Sequence, residues 1–256
     1  MATEAVVTSR AQERPIYRPV HRTRERIFFS GMAVLLCAVV VYGFSRTYFL
    51  AGMVSAPLPA PILHIHGAVF TLWMLVYVIQ TALISAHRVA LHRTFGTIAF
   101  CLPPIMIVLG LIAALNALHR GVQIGPLDAA TSLAIPLIGI TFFAVVITAA
   151  WVTRRRPDAH KRLILYATIG LCEAALGRFP WDKIGVSPAG GAVAGLGILL
   201  LFPLAYDLVS LHRIHRSSMW AAPLTFVTGA FAVPIGMTPL WHGFAGFLAS
   251  HIARYF

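Results

Sequence analysis

Seven apolar stretches dominate the sequence, and each approaches the length that a helix needs to cross a membrane. The hydrocarbon core of a bilayer takes about 20 residues of α-helix. The stretches cover residues 27–50, 62–86, 94–118, 130–152, 163–179, 190–211 and 221–245. Only 11% of the 256 residues are charged, whereas a soluble domain carries about 25%. The sequence therefore excludes an ordinary soluble enzyme and predicts an all-α integral membrane protein with seven transmembrane helices.

The basic residues predict how these helices are oriented. Fifteen of the 20 Lys and Arg residues lie in alternate segments, namely 1–26, 88–93, 154–162 and 213–216. Basic segments stay in the cytoplasm, so the N-terminus is expected there and the C-terminus outside. Residues 1–26 form a basic cytoplasmic segment, and residues 27–256 form a single seven-helix domain.

The net charge of +12 therefore reflects orientation and contact with anionic lipid at the cytoplasmic face, not nucleic-acid binding. Arg outnumbers Lys 18 to 2 and Ala is abundant, which is typical of a GC-rich bacterium. We expect a multi-pass protein of the bacterial cytoplasmic (inner) membrane.

The second apolar stretch carries a stripe of polar and aromatic residues. His66, Trp73, Tyr77, Gln80 and His87 recur at helical spacing, with one turn skipped, so they share one face. Such a face must contact protein or water, because hydrocarbon satisfies no hydrogen bond. Two interpretations stay open, which are hydrogen-bonded packing between helices and one wall of a cavity.

Glu173 is the only carboxylate well inside any predicted span. An ionised carboxylate there is costly, so we expect it to be paired, protonated or facing a water-filled cavity. Its candidate partners are His66, Arg46, His242 and Arg178. We predict an outward-opening pocket between the second, fifth and seventh helices, with candidate residues His66, Glu173, His242, Trp73, Tyr77, Gln80, Arg46 and Arg178. Asp207, near the cytoplasmic end of the sixth helix, is expected to form a structural salt bridge with a loop arginine.

Several motifs between residues 43 and 178 carry a resemblance. They are His64-Ile65-His66-Gly67, followed by Trp73, Gln80, His92-Arg93 and Gly96, and later Ala159-His160-Lys161-Arg162. With these motifs the sequence resembles a family of uncharacterised bacterial multi-pass membrane proteins. The resemblance implies a seven-helix bacterial membrane protein and implies no particular reaction.

A looser similarity to cytochrome b561-type proteins implies haem b held between histidines on facing helices. The metal or haem candidates are His64, His66, His119 and His242. A haem-binding redox or haem-handling protein is therefore one alternative function.

A metal-dependent membrane hydrolase is a second alternative. It would use His64 or His66 together with His242 and Glu173 as zinc ligands. The seven-helix plan is also similar to the progestin and adipoQ receptor and ceramidase superfamily. That superfamily's zinc pattern is broken here, because Ala60 and Thr238 stand where Ser and His are needed.

No set of nucleophile, base and acid can be named from the sequence, so it does not decide whether the protein is an enzyme. The main interpretation is a membrane protein with a polar intramembrane pocket for a small-molecule ligand. On this interpretation the protein is a carrier, a sensor or an assembly factor.

Overall fold

The computed structural model describes residues 19–50 and 61–252, with side chains from residue 23 onward. Most of the predicted basic N-terminal segment, Ala60 and Arg254 lie outside the described residues. The described chain is helical and contains no β-strand. Its helices are α1 (Pro19–Phe44), α2 (Pro61–Ser85), α3 (Val89–Ala99), α4 (Leu102–His119), α5 (Ala129–Val152), α6 (Pro157–Leu171), α7 (Glu173–Leu176), α8 (Pro188–Leu211), α9 (Arg216–Gly236) and α10 (Pro239–Ile252). A π-helical turn, Ser45–Phe49, extends α1.

Six helical stretches of the described chain are long and apolar enough to cross a membrane. They are Thr23–Phe49, Pro61–Ser85, Val89–His119, Ala129–Val152, Pro188–Leu211 and Arg216–Gly236. Each overlaps one predicted apolar stretch, and six such helices are typical of a multi-pass membrane protein. The remaining predicted stretch, 163–179, is divided between α6 and α7, and neither reaches spanning length by itself. The all-helical prediction is confirmed, with six candidate spans in place of seven.

Prolines explain two further helix boundaries. The predicted third helix is interrupted between α3 and α4, just before Pro103-Pro104, because proline lacks an N–H group and clashes with the preceding turn. The predicted seventh helix, 221–245, is wrong in its bounds. α9 ends at Gly236 and a separate helix begins at Pro239, where the Thr238 hydroxyl accepts a hydrogen bond from Trp241 N at 3.2 Å.

The short C-terminal helix α10 packs across the ends of α4 and α5. Ala245 of α10 is buried in a small apolar cluster with Ala114 of α4 and Leu133 of α5. Its 14 residues give a length of about 21 Å, which is less than the bilayer core of about 30 Å. The last candidate membrane span of the described chain is therefore α9 alone.

The centre of the bundle is occupied by α6, which carries more polar residues than the candidate spans around it. Its residues Leu163, Leu165, Tyr166, Ala167, Thr168 and Ile169 are almost completely buried. They pack mainly against α5 and α9, with α8 and α1 completing the enclosure. Because its neighbours cover it on every side, α6 can carry side chains that would be unfavourable against lipid.

Candidate functional site

The central helix is broken next to Glu173. The Thr168 hydroxyl donates to the Ile164 carbonyl at 2.8 Å, and the Cys172 thiol donates to the Thr168 carbonyl at 3.4 Å. Such bonds to the carbonyl four residues back bend helices. The Cys172 backbone N–H instead reaches the carbonyl of Ile169, only three residues back. Glu173 therefore opens a separate short helix, α7, at the end of α6.

The Glu173 side chain points toward α8 and α9. It lies against Gly229, where a Cβ atom would come within 3.3 Å of the carboxylate Oε2 and 2.7 Å of Leu196 Cδ2. A glycine at this position leaves the room that the carboxylate occupies. Among the described residues no group donates a hydrogen bond to the carboxylate or forms an ion pair with it. The four sequence-predicted partners His66, Arg46, His242 and Arg178 are not joined to it in this structure.

Arg178 follows α7 and points toward α1. Its guanidinium lies over the Phe44 ring, 4.4 Å from the ring centroid, and one of its nitrogens donates to the Ala174 carbonyl. Arg46 is exposed on the π-helical turn that follows Phe44.

His66 is half-buried near the start of α2. Its imidazole stacks on Phe70 at 4.1 Å between ring centroids and lies beside the backbone of Leu109 in α4. The Nδ1 atom is buried and has no hydrogen-bond partner among the residues that the structure describes.

The polar stripe of α2 faces the protein over most of its length. Trp73 is buried and its Nε1 donates to the Thr168 hydroxyl at 3.4 Å. Tyr77 is buried as well, and its hydroxyl has no hydrogen-bond partner in the described part of the chain. The Gln80 amide, oriented to satisfy both of its groups, bonds His92 and the Gly96 backbone N–H of α3. The spacing of the stripe therefore located Trp73 and Tyr77 correctly in the interior.

The histidines near the predicted outer end are scattered. His64 is exposed, and its carbonyl accepts a hydrogen bond from Tyr48 at 3.2 Å. His119 is exposed at the end of α4. His242 lies on α10, with Nε2 3.3 Å from the Thr131 hydroxyl and 3.9 Å from Asp128 Oδ2. In the part of the chain with described side chains, no three His, Cys, Asp or Glu residues are placed to hold a metal ion. The zinc set suggested by the sequence is not assembled in this structure.

Asp128 explains why His242 is held where it is. The Asp128 carboxylate caps α5 by accepting hydrogen bonds from Thr131 N at 3.0 Å, Thr131 Oγ1 at 2.7 Å and Ala130 N at 2.9 Å. The bonds from Thr131 hold the pKa of Asp128 below its ordinary value. The neighbouring Trp241 donates to the Ala130 carbonyl at 2.7 Å. These contacts fasten α10 to the start of α5, which is a structural role.

A second polar cluster, at the predicted cytoplasmic end of α6, is fully bonded. Arg162 donates through Nε and Nη2 to Asp207 Oδ1 at 2.8 and 2.5 Å. Asp207 Oδ2 accepts from the Ser218 hydroxyl at 2.6 Å and from His215 N at 3.1 Å. The pair joins α6 to α8 and α9, and it confirms the salt bridge predicted for Asp207.

The sequence reasoning did not identify Gly229 or Phe44 as neighbours of site residues. The position of Gly229 inside an apolar stretch could have indicated a close helix contact, since small residues permit close approach between membrane helices. No protein-family model, curated protein sequence or solved structure matches the chain. The arrangement itself offers one proton-binding carboxylate, Glu173, and two nitrogen groups, on His66 and Arg178, that can donate hydrogen bonds.

Proposed function

We propose that the protein is a proton-linked carrier of a small solute in the bacterial inner membrane, with Glu173 as its proton-binding group. One observation carries this proposal. The Glu173 carboxylate lies at the break of the central helix and has neither a hydrogen bond nor an ion pair among the described residues.

The unpartnered carboxylate favours proton binding. Glu173 is partly buried. A charge without a partner is costly in apolar surroundings, so the carboxyl group there is neutral unless water or a cation reaches it. Gly229 and Leu196 supply space and apolar surface beside it but no hydrogen-bond donor. The side chain therefore gains a proton when water is excluded and releases it when water has access.

The break in the central helix supports movement at the same place. Discontinuous helices in secondary transporters form binding sites near the middle of the membrane, where irregular backbone lines a cavity. Here the break at Cys172 directly precedes Glu173. A bend at this position moves the carboxylate relative to α9 and changes its access to water.

The carrier has seven transmembrane segments, with α6 and α7 acting together as the fifth. The two helices cover Pro157–Leu171 and Glu173–Leu176. The predicted stretch that they share, 163–179, has 17 residues, which is about the shortest length that spans a bilayer core as a helix. The N-terminus is cytoplasmic and the C-terminus outside, as the basic residues indicate. The same residues favour anionic lipid at the cytoplasmic face.

Carbodiimide labelling tests the proton-binding group. Dicyclohexylcarbodiimide reacts with protonated carboxyl groups in apolar surroundings, and peptide mass spectrometry locates the label. We expect Glu173 to be labelled in the purified protein and the labelling to fall as the pH is raised. The bonded carboxylate of Asp207 serves as an internal control and should stay unmodified. No label on Glu173 from mildly acidic to mildly alkaline pH would contradict the proposal.

Transport in proteoliposomes tests the coupling. Vesicles with an internal pH-sensitive dye are given an inward proton gradient, and a mixture of organic acids, amino acids and sugars is added outside. We expect the wild type to acidify the interior on this addition, and Glu173→Gln to remain at the rate of protein-free vesicles. Equal acidification by wild type and Glu173→Gln rules out the coupling role.

A further inference from the structure

We propose that a groove between α5 and α9 binds one phospholipid with an anionic headgroup. Its acyl chain lies in the groove, and its phosphate lies at the predicted cytoplasmic ends of the two helices. This inference concerns the lipid-facing side of the bundle and does not depend on Glu173. It is supported by the shape of the groove, the register of the two helices and the charge of the loops at one end.

The α5/α9 groove is a narrow apolar cleft near the middle of two candidate spans. It is lined by Ile138, Thr141, Phe142, Val145, Leu224 and Thr228. Its volume is about 210 Å³, which is less than the roughly 300–1,000 Å³ of a pocket that encloses a drug-sized ligand. Val145 is 52% exposed, so the groove opens on the surface that meets lipid. A cleft of this size and position fits a single hydrocarbon chain.

The two hydroxyl groups in the groove do not favour a polar ligand. The Thr141 hydroxyl donates to the Leu137 carbonyl at 2.8 Å. The Thr228 hydroxyl likewise donates to the Leu224 carbonyl, also at 2.8 Å. Both hydroxyl protons are thus used within their own helices, and the remaining lining residues are apolar. A hydrocarbon chain therefore suits the groove better than a sugar or an amino acid.

The two helices run antiparallel, and their register places one pair of ends side by side. At the predicted outer end, the Thr131 hydroxyl donates to the Gly236 carbonyl at 3.2 Å. Counting about 21 residues from this contact, about 32 Å along each helix, reaches Val152 at the end of α5 and His215 at the start of α9. The loops 153–156 and 212–215 therefore lie at the same level, beyond the same end of the groove.

This end of the groove is strongly basic. Segment 153–156 contains three arginines, and segment 212–216 contains two arginines and two histidines, with no acidic residue in either segment. The nearest acidic residues in the sequence, Asp158 and Asp207, are bonded to Lys161 and Arg162 respectively. The exposed charge at this end is thus positive and complements an anionic headgroup.

Arg216 is well placed to bind the phosphate. Arg216, Trp220 and Leu224 follow one another at four-residue spacing, so they lie along one side of α9. Both Arg216 and Trp220 are exposed. Tryptophan is enriched at headgroup level, and a guanidinium matches a phosphate with two parallel hydrogen bonds. The eight residues from Arg216 to Leu224 extend about 12 Å, which is within the half-thickness of about 15 Å of a bilayer core.

Native mass spectrometry of the full chain tests the headgroup site. Delipidated protein in neutral detergent is titrated with dioleoyl phosphatidylglycerol or dioleoyl phosphatidylcholine, and the Kd of the first bound lipid is measured. We expect tighter binding of phosphatidylglycerol. Arg216→Gln should weaken it by about fivefold, the contribution of one basic residue near the membrane surface, and leave phosphatidylcholine unchanged. Arg216→Lys should retain the preference. The charge control is Arg88→Gln, at an exposed position before α3, and it should match the wild type.

Filling the groove tests the position of the acyl chain. Val145→Phe and Thr141→Phe, both at exposed positions of α5, occupy the open side of the groove without entering the core. Each should weaken both lipids by about threefold or more, because the chain loses its dispersion contacts with the groove. The matched control is Val41→Phe, at a residue 51% exposed on α1, which packs on α2, α6 and α7. Its affinity for both lipids should equal that of the wild type.

Four results would overturn the inference. Equal affinity of the wild type for the two lipids removes the anionic headgroup. Equal weakening by Arg88→Gln and Arg216→Gln reduces the effect to general charge. Equal weakening by Val41→Phe and Val145→Phe excludes the groove as the site of the chain. A protein dimer without bound lipid, lost in Val145→Phe, assigns the groove to a second copy of the chain instead.

Discussion

Two carboxylates inside the bundle differ in their hydrogen bonding. Asp207 is 1% exposed and both of its oxygens are bonded, to Arg162, Ser218 and the His215 backbone. Glu173 has room beside Gly229, and no described residue donates a hydrogen bond to its carboxylate. A fully bonded pair holds helices together, whereas an unbonded carboxylate is free to change its protonation. The contrast indicates a structural role for Asp207 and is the basis for proposing proton binding by Glu173.

The Arg162–Asp207 pair leads to a prediction about stability. Asp207→Ala leaves the Arg162 charge buried, at 3% exposure, and should lower the free energy of unfolding by about 3–5 kcal/mol. The double variant Arg162→Met with Asp207→Leu should recover most of this loss, because no unpaired charge remains. Unfolding in mixed micelles, titrated with dodecyl sulfate, measures both.

Lys161→Met is the control for that comparison. Lys161 bonds Glu25 at 2.6 Å and Asp158 at 2.8 Å but is partly exposed, so its loss should cost at most about 1 kcal/mol. A double variant as unstable as Asp207→Ala would show that the pair itself, and not the isolated charge, determines stability.

The sequence allowed some of these residue positions to be predicted and not others. Helical spacing located Trp73 and Tyr77 in the interior, because spacing defines the face on which a side chain lies. It does not define which neighbouring helix covers that face. Glu173 and Arg178 were therefore expected in one pocket, although they are five residues apart and point to different neighbours. The sequence predicted that the partner of Asp207 is one of the loop arginines but not which one. The packing of α6 against α8 shows that the partner is Arg162.

At the scale of helices, glycine residues repeatedly allow neighbouring helices to approach closely. At Gly43 a Cβ atom would come within 2.8 Å of the Ala175 backbone, so α1 and α7 touch through their main chains. Small residues permit such contacts between membrane helices, where dispersion forces replace the hydrophobic effect as the source of packing energy.

Gly43→Ala should therefore force α1 and α7 apart. We expect a loss of about 1–3 kcal/mol in stability, as for other overpacked sites. Gly139→Ala, in α5, is the matched control, because nothing lies within 4 Å of its added Cβ atom. The control should be neutral or slightly stabilising, since Ala favours helix. Unfolding in dodecyl sulfate measures the stability of the two variants. An equal change in the free energy of unfolding of both would contradict the close contact at Gly43.

The presence of the helices could be predicted from the apolar stretches. Most errors concern the positions at which a helix is interrupted. The chain breaks between α3 and α4 just before Pro103, whereas α8 continues through Pro203, since tertiary contacts decide whether a helix tolerates proline. The separate helix α10 escaped prediction because residues 221–245 read as one apolar stretch. The docking of α10 depends on contacts of Trp241 and His242 with residues 128–131 at the start of α5, which are distant from α10 in sequence.

At the scale of the molecule, the bundle is organised around α6, and the path of α6 and α7 determines the topology. If they cross the membrane together, the loop before α6 and the loop before α8 lie on opposite sides. If they do not cross, both loops lie on the same side. The positive-inside pattern favours crossing.

Cysteine labelling checks this topology. After Cys37, Cys101 and Cys172 are replaced by Ala, single cysteines are introduced as Arg155→Cys and Ile184→Cys, both at exposed positions. A membrane-impermeant maleimide should label Ile184→Cys in intact cells, and Arg155→Cys only after the membrane is disrupted. Labelling of both in intact cells, or of neither, contradicts seven crossings.

The enclosed position of α6 has a consequence for biosynthesis. As the ribosome releases it, α6 has only α1 to α5 beside it, because α8 and α9 are not yet made. Arg162 then lacks Asp207, its partner in α8, and Glu173 lacks the cover of α8 and α9 in a lipid phase that disfavours a carboxylate. The translocon or the earlier helices must retain this segment until the last third of the chain arrives. Assembly of the core is therefore completed late, and nascent chains that stop before α9 leave both charged residues without their final surroundings.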